Sequence, residues 1–391
     1  MKMKNNWPSY TPSEIESAVS ILNSNKVNYW SGEHGKAFEK DFSKYFNVDF
    51  SIALSNGTVA LDLALRSLDI GTGDDVIVTP RTFIASVASI VNLGANPIFA
   101  DVDLDSGNIT ASSIEKVLTP KTKAIICVHL AGWPCDMDPI LSLAHSKNIF
   151  VVEDCAQAHN AKYKDKYVGT LGDIAAWSFC EDKIMTTAGE GGMVTTNNEE
   201  LFNRAWSFKD HGKNFEIMKK KSSSFVFKYV HSNFGSNYRM TEIQSAIGRI
   251  QLRNLDEWTE ARKRNAMKFN EVLQNYSDIA RAPLPSEKFS HAYYKYYVYL
   301  KTDKIKKSWS RDRVVNSLNE IGLQCGSGAC PEVYMEDAYK HISKKPHTRL
   351  PNAKKLGEES LMLLVHPTLT DEEMDFSCQS VSKVLNQAKI I

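Results

Sequence analysis

From residue 51 to residue 196 the chain alternates short, unbroken apolar runs with segments of helical periodicity. The runs Ser51–Leu54, Val76–Thr79, Ile98–Ala100, Ala124–Val128, Phe150–Glu153, Ile174–Phe179 and Met193–Thr196 read as seven strands. Between them Leu61, Ala64, Leu65 and Leu68 fall at i, i+3, i+4 and i+7, which makes a helix, and Ala85–Val91 reads as another. Strands that are apolar throughout and separated by helices imply a largely parallel sheet covered on both faces. Ligands of such sheets sit at the carboxyl ends of the strands.

On either side of this core the pattern differs. Thr11–Leu22 is an amphipathic helix with Ser13 and Glu14 in its first turn, and Phe38–Tyr45 continues as helix. The loop between them, Asn28-Tyr29-Trp30-Ser31-Gly32, is either a turn covering the core or a substrate-facing wall, with Tyr29 and Trp30 as an aromatic platform. A helix opening at Thr241 carries Ile243, Ala246, Ile247 and Ile250 on one face, and a long charged helix runs on to about Leu273. Beyond it lie a strand candidate at Tyr294–Lys301, a helix at Ser310–Ile321 and a C-terminal helix after Thr370. That change of pattern places a boundary between residues 250 and 275. It predicts a large domain over 1–250 and a smaller α+β domain over 251–391.

Composition narrows the classes. With 42% hydrophobic and 24% charged residues in 391, this is the profile of a globular protein. A net charge of +1 offers no electrostatic case for nucleic acid or membranes. The start, Met-Lys-Met-Lys-Asn-Asn-Trp-Pro, has no apolar stretch of a signal peptide, and no apolar run reaches membrane-span length, so a cytoplasmic protein is expected. Seven scattered cysteines without a Cys-x-x-Cys pair read as free thiols, and no metal site is expected; Cys325 and Cys330 flank a glycine-rich turn. The run Lys219–Ser224 reads as a mobile, solvated loop.

The candidate chemistry gathers at strand ends. Val151-Val152-Glu153-Asp154 ends an apolar strand in a carboxylate, and Lys183 follows among small polar residues and glycines. A lysine amine that can form a Schiff base, with a carboxylate to keep a pyridine nitrogen protonated, is what pyridoxal phosphate chemistry requires. Gly57 and Thr58 open a helix straight after a strand, where free N–H groups and the dipole suit a phosphate, although many helices open so without binding one. Gly57, Thr82, Asp154 and Ser178 all fall at or just past strand ends. The absence of Gly-x-Gly-x-x-Gly after the first strand disfavours a dinucleotide. The glycines at 189–192 precede a strand, not a helix, and read as room for backbone to pass close to a cofactor.

Six ordered motifs over nearly the whole chain resemble the DegT/DnrJ/EryC1/StrS sugar aminotransferases. They are Ser-Asn-Gly-Thr at 55–58, Thr-Phe-Ile-Ala-Ser at 82–86, Glu-Asp-Cys-Ala-Gln-Ala-His at 153–159, Ser-Phe at 178–179 with Lys183 beyond it, Gly-Glu-Gly-Gly-Met-Val at 189–194 and Asn-Tyr-Arg-Met-Thr-Glu-Ile-Gln at 237–244. The resemblance implies the α/β fold-type I architecture of pyridoxal 5'-phosphate aminotransferases. It implies that Lys183 carries the cofactor and moves the proton, and that Asp154 pairs with the ring nitrogen. Gln157 would bond the ring hydroxyl and Phe83 stack on the ring. Gly57, Thr58 and Ser178 would hold the phosphate, and Asn237 would reach it from a neighbouring subunit, which makes a homodimer with shared sites. Asn160, where the family usually has glycine, and the extra Ala188 after the Thr-Thr pair depart from the pattern.

A lysine at 183, where the family's ketosugar dehydratases carry histidine, favours transamination. The expected reaction moves the amine of L-glutamate to the C-4 ketone of a nucleotide-linked 4-keto-6-deoxyhexose. Trp-Pro-Ser-Tyr at 7–10 and His-Leu-Ala-Gly-Trp-Pro-Cys-Asp at 129–136 look most like enzymes making dTDP-4-amino-4,6-dideoxyglucose for O-antigen and other surface polysaccharides. A GDP-perosamine-type or UDP-amino-sugar product remains open. From other classes, a pyridoxal phosphate dehydratase and a non-catalytic cofactor-binding regulator are the alternatives. Tyr29, Trp30, His211 and Arg239 are candidate substrate residues, and Arg239, His211, Lys213 and Arg349 are candidate diphosphate contacts.

Overall fold

The computed structural model describes residues 6–219, 229–342 and 346–390. Most of the lysine-rich run at 219–224 therefore lies outside the described residues.

The seven apolar runs form one sheet: β1 Phe50–Leu54, β2 Asp75–Val78, β3 Asn96–Phe99, β4 Thr122–Val128, β5 Phe150–Asp154, β6 Ile174–Ser178 and β7 Gly192–Thr196. Their order is β1-β7-β6-β5-β4-β2-β3. β7 runs antiparallel to both β1 and β6, and every other pairing is parallel. The observed strands agree with the sequence expectation to within two residues at each end. Both faces are covered, as unbroken apolar strands require. Val76, Val78, Ala124, Ile126 and Val152 pack into one apolar cluster, and the intervening Ile77, Ile125, Cys127 and Val151 into another on the opposite face.

That alternation positions the chemistry. Asp154 shares the parity of Val152, and Ser178 that of Ile174 and Ala176, so both side chains project from the first face at the carboxyl ends of adjacent parallel strands. The helices Gly57–Ser67 and Ala85–Asn92 cover this face through Ala60, Leu61, Ala64, Val87 and Ile90. Asn56 caps the first of them, accepting a hydrogen bond from Val59 N–H at 3.0 Å, and this aims the helix N-terminus at the sheet edge.

A second, antiparallel sheet comprises β8 Ala280–Arg281, β9 Tyr296–Leu300, β10 Cys325–Gly326 and β11 Ser360–Leu363, in the order β8-β9-β11-β10. The helices Leu255–Gln274, Arg311–Ile321 and Asp371–Ala388 cover it with a separate apolar cluster. Leu255 at the start of the first helix packs in a large-sheet cluster, whereas Ala266, Phe269 and Leu273 further along it belong to the second. Val333, Tyr334 and Tyr339 reach back into the large-sheet core.

Candidate active site

A cavity of about 830 Å³ opens at the carboxyl edge of the large sheet and is closed on one side by the start of β9. Gly57, Thr58, Phe83, Asp154, Gln157, Ser178 and Lys183 all line it. Seven residues chosen from separate stretches of sequence therefore share one wall.

Asp154 is 4% exposed. Its Oδ2 accepts from Ser86 Oγ at 2.7 Å, its Oδ1 accepts from Ala156 N–H at 3.1 Å, and Ser86 Oγ lies 2.8 Å from Thr82 Oγ1. Burial raises the carboxyl above its usual range; the bonds from Ser86 and Ala156 and the charge of Lys183 oppose that push without cancelling it. Gln157 Oε1 accepts from Ala131 N–H at 2.8 Å, which leaves its NH2 group for a ligand. Phe83 is 65% exposed, an aromatic ring left without a core to fill, on the wall of a cavity.

The corner between Gly57 and Ser178 is built by close backbone approach. A Cβ on Gly57 would stand 2.5 Å from Ser178 Cβ and 2.8 Å from its Oγ, so only glycine lets the helix N-terminus meet the serine. Gly192 serves the same corner from beneath, since a Cβ there would lie 2.3 Å from Asn56 O. The glycine run after Lys183 thus makes room for the Asn56–Gly57 backbone.

Lys183 lies in residues 179–191, which form neither helix nor strand, and long-range tethers hold them. Trp7 Nε1 donates to Lys183 O at 2.9 Å, and Gln251 Oε1 accepts from Thr186 N–H at 3.2 Å. The Tyr294 hydroxyl donates to Asp182 Oδ2, and Lys183 Nζ lies over the Tyr294 ring, 5.1 Å from its centroid. Burial alone would raise Asp182, but Lys183, the Tyr294 hydroxyl and Lys295 outweigh it and hold the carboxyl below its usual range. Both departures from the family pattern are accommodated. Asn160 and Ala188 adopt left-handed backbone at φ +66° and +63°, and the Asn160 side chain donates to Asp256 and Thr259.

The other candidates stand apart from this chain's cavity. Tyr29 is 3% exposed with its hydroxyl donated to Glu39 at 3.0 Å, and Trp30 Nε1 donates to Asp210 at 2.8 Å, so the loop at 28–32 does not form a wall of it. Arg239 and Lys213 each lie 2.9 Å from the same Asp210. Burial would raise Asp210, yet Lys213, Lys209 and Arg239 hold it below its usual range. Asn237 bridges to Asp210 through the backbone, while His211 is exposed and pairs its N–H with Ser236 O. Arg349 Nε spans both oxygens of Glu332 at 3.1 and 3.0 Å. The four candidate diphosphate contacts are thus absent from the cavity lining, and an unforeseen basic residue, Lys295, is present. Ser86 was legible as the residue one helical turn beyond Thr82; Asp182, Tyr294 and Lys295 carried no sequence signal.

His129 Nε2, a Glu153 oxygen and Cys155 Sγ lie within 4.8 Å of one another on the far face of the sheet. Glu153 is saturated there, by His129 at 3.0 Å and by the N–H groups of Gly169, Leu171 and Gly172, so this is a hydrogen-bonded brace beneath the site. All seven cysteines are free thiols, and Cys330 lines the cavity.

The buried carboxylate, the tethered Lys183, the helix N-terminus with its serine and the bare aromatic ring fit pyridoxal phosphate, with a candidate each for ring nitrogen, aldehyde, phosphate and ring face. The model of the DegT/DnrJ/EryC1/StrS aminotransferase family matches residues 8–382. The solved structure of an aminotransferase from Psychrobacter cryohalolentis is similar over 99% of this chain and 100% of that one, with a TM-score of 0.97 and 49% identity. The GDP-perosamine synthase of Escherichia coli O157:H7 is 37% identical over 376 residues, 96% of each chain. That of Caulobacter vibrioides is 37% identical over 348 residues, 89% of each. Among the described residues no helix is long and apolar enough to cross a membrane. The chain belongs to the DegT/DnrJ/EryC1/StrS aminotransferase family and is a pyridoxal-phosphate-dependent sugar aminotransferase.

Proposed function

We propose that the enzyme moves the amino group of L-glutamate to the C-4 ketone of a nucleotide-linked 4-keto-6-deoxyhexose. The observation that carries this reading is one cavity lined by Lys183, Asp154, Ser178, Gly57 and an exposed Phe83. Bound there, pyridoxal phosphate supplies an electron sink and stores the amine between two half-reactions. Lys183 holds the aldehyde end and moves the proton at the substrate carbon. Asp154 keeps the ring nitrogen protonated, Phe83 packs on the ring, and the Gln157 carboxamide bonds the ring hydroxyl. Ser178 Oγ with the N–H groups of Gly57 and Thr58 holds the phosphate. Asn237 serves the neighbouring subunit's site in a homodimer. The division into units of 1–250 and 251–391, a cytoplasmic location and a role in surface polysaccharides such as the O-antigen of lipopolysaccharide belong to the same proposal.

The nucleotide has two readings. The motifs at 7–10 and 129–136 favour a dTDP-linked sugar, and the two relatives named GDP-perosamine synthase favour a GDP-linked one. A panel of dTDP-, GDP- and UDP-linked 4-ketosugars with L-glutamate, followed by mass spectrometry, decides between them. One member gains the mass change of ketone to amine. A purified protein that takes up pyridoxal phosphate yet aminates none of the panel would overturn the proposal.

A further inference from the structure

Lys295 stands in the cavity wall one residue before β9. Its Nζ lies 3.7 Å from Asp182 Oδ2, and Lys183 Nζ lies 3.7 Å from Asp182 Oδ1. One carboxylate faces two amines and accepts a hydrogen bond from the Tyr294 hydroxyl. Both amines also lie over the Tyr294 ring, 5.1 and 4.7 Å from its centroid. With Lys183 engaged by the cofactor, Lys295 is the remaining amine of the described lining, 3.7 Å from Asp182. Both Nζ atoms face one carboxylate and one ring, so the two amines stand at the same end of the cavity.

We propose that Lys295 receives the α-carboxylate of the amino donor, an assignment that rests on the transamination reading above. An α-carboxylate is one bond from the carbon bearing the amine, so its receptor must stand next to the catalytic lysine. A nucleotide sugar's diphosphate hangs from C-1, across the ring from a C-4 ketone, and calls for a cation farther away. Within the described lining Lys183 and Lys295 are the basic side chains, and Lys183 is committed to the cofactor. Lys213, Arg239 and Arg349 are paired with Asp210 or Glu332 away from the cavity.

Burial brings Lys295 down to about 8, against the pull of Asp182 and with the help of Arg262 and Lys183. Asp182, Lys183, Arg262, His366 and Tyr294 are the titratable and charged groups that face it, and its charge fades as the pH passes about 8.

The test compares wild-type holoenzyme with Lys295→Met, Lys295→Gln and Lys295→Arg in each half-reaction separately. The glutamate half is read from the cofactor absorbance after adding L-glutamate alone; the sugar half uses the ketosugar found by the panel. Both neutral variants should keep the cofactor band, bind L-glutamate roughly tenfold or more weakly, as expected for loss of a charge-assisted bond, and leave the sugar half within about twofold. Lys295→Arg should restore most of the affinity and abolish its decline above pH 8, because arginine stays charged. Unchanged glutamate affinity in both neutral variants overturns the assignment. A loss confined to the sugar half also overturns it and assigns Lys295 to the diphosphate. A wild-type enzyme that holds its cofactor but answers no amino acid overturns the transamination reading itself, and the assignment with it.

Discussion

Ser86 Oγ donates a 2.7 Å hydrogen bond to Asp154 Oδ2 from 68 residues away in sequence. Thr82 Oγ1 lies 2.8 Å from Ser86 Oγ on the same helix entry, so two hydroxyls steady a carboxylate that burial would otherwise push further toward its neutral form. A hydrogen bond to a charged group contributes about 1.5–3 kcal/mol. Ser86→Ala should therefore lower the rate of transamination by roughly tenfold or more, since about 1.4 kcal/mol is a factor of ten. Steady-state kinetics alongside a pH titration of the cofactor absorbance check this. An unchanged titration with an unchanged rate would remove Ser86 from the site.

The same carboxylate makes function and stability pull apart. Asp154 has its folded-state pKa raised, so the stability tied to it is present below the unfolded carboxyl range and lost as pH rises through the folded value. Wherever it is ionised, this carboxylate therefore destabilises the cofactor-free protein. Asp154→Asn should raise the Tm of the apoprotein by roughly 1–3 °C and lower transamination by a hundredfold or more. Scanning calorimetry of the apoprotein and kinetics of the holoenzyme report the two effects independently.

Gly57→Ala places a Cβ 2.5 Å from Ser178 Cβ, in the corner proposed to hold the phosphate. The helix N-terminus must then retreat from the serine. Pyridoxal phosphate affinity, followed by titration of the apoprotein, should weaken roughly tenfold or more with the far-ultraviolet circular dichroism unchanged.

Phe83→Ala separates stacking from folding. The side chain is 65% exposed, so its loss should change thermal stability of the apoprotein by no more than about 0.5 kcal/mol. Ring stacking of about 1 kcal/mol predicts a cofactor dissociation constant raised roughly fivefold. A large drop in apoprotein Tm would mean that the ring supports the fold instead.

Glu153→Gln tests the brace under the site. Burial would raise this carboxyl, but the His129 bond and charge and the N–H groups of Gly172 and Gly169 hold it below its ordinary value. A depressed carboxyl stabilises the protein above the unfolded pKa, and that stability is lost as pH falls through the folded value, below 4.5. The amide cannot accept four hydrogen bonds as the carboxylate does, so the variant should lose about 3 kcal/mol at neutral pH and less in acid. Tm measured from pH 3 to 8 shows whether the two curves converge at the acid end.

Local pattern alone determined much of this protein. Apolar runs with no polar alternation mark strands buried on both faces, and this set the seven-stranded, mainly parallel sheet. A carboxylate or hydroxyl at the end of such a run, as in Asp154 and Ser178, must lie at the sheet's carboxyl edge. The ordered motifs singled out Lys183 and six further residues, Gly57, Thr58, Phe83, Asp154, Gln157 and Ser178, that line the same cavity. What the sequence could not decide was anything set by partners distant along the chain. Residues 179–191 have no periodicity, and Lys183 takes its place from Trp7 and Tyr294, 176 and 111 positions away. Tyr29 and Trp30 sit in a polar loop, yet packing commits their polar atoms to Glu39 and Asp210. Lys295 lies beside a strand with no special spacing, and only the folding of the second sheet against the first brings it to Asp182 and the reacting end of the cavity. Periodicity encodes which face a residue turns to the core; which charges meet there depends on contacts that form only when the whole chain closes.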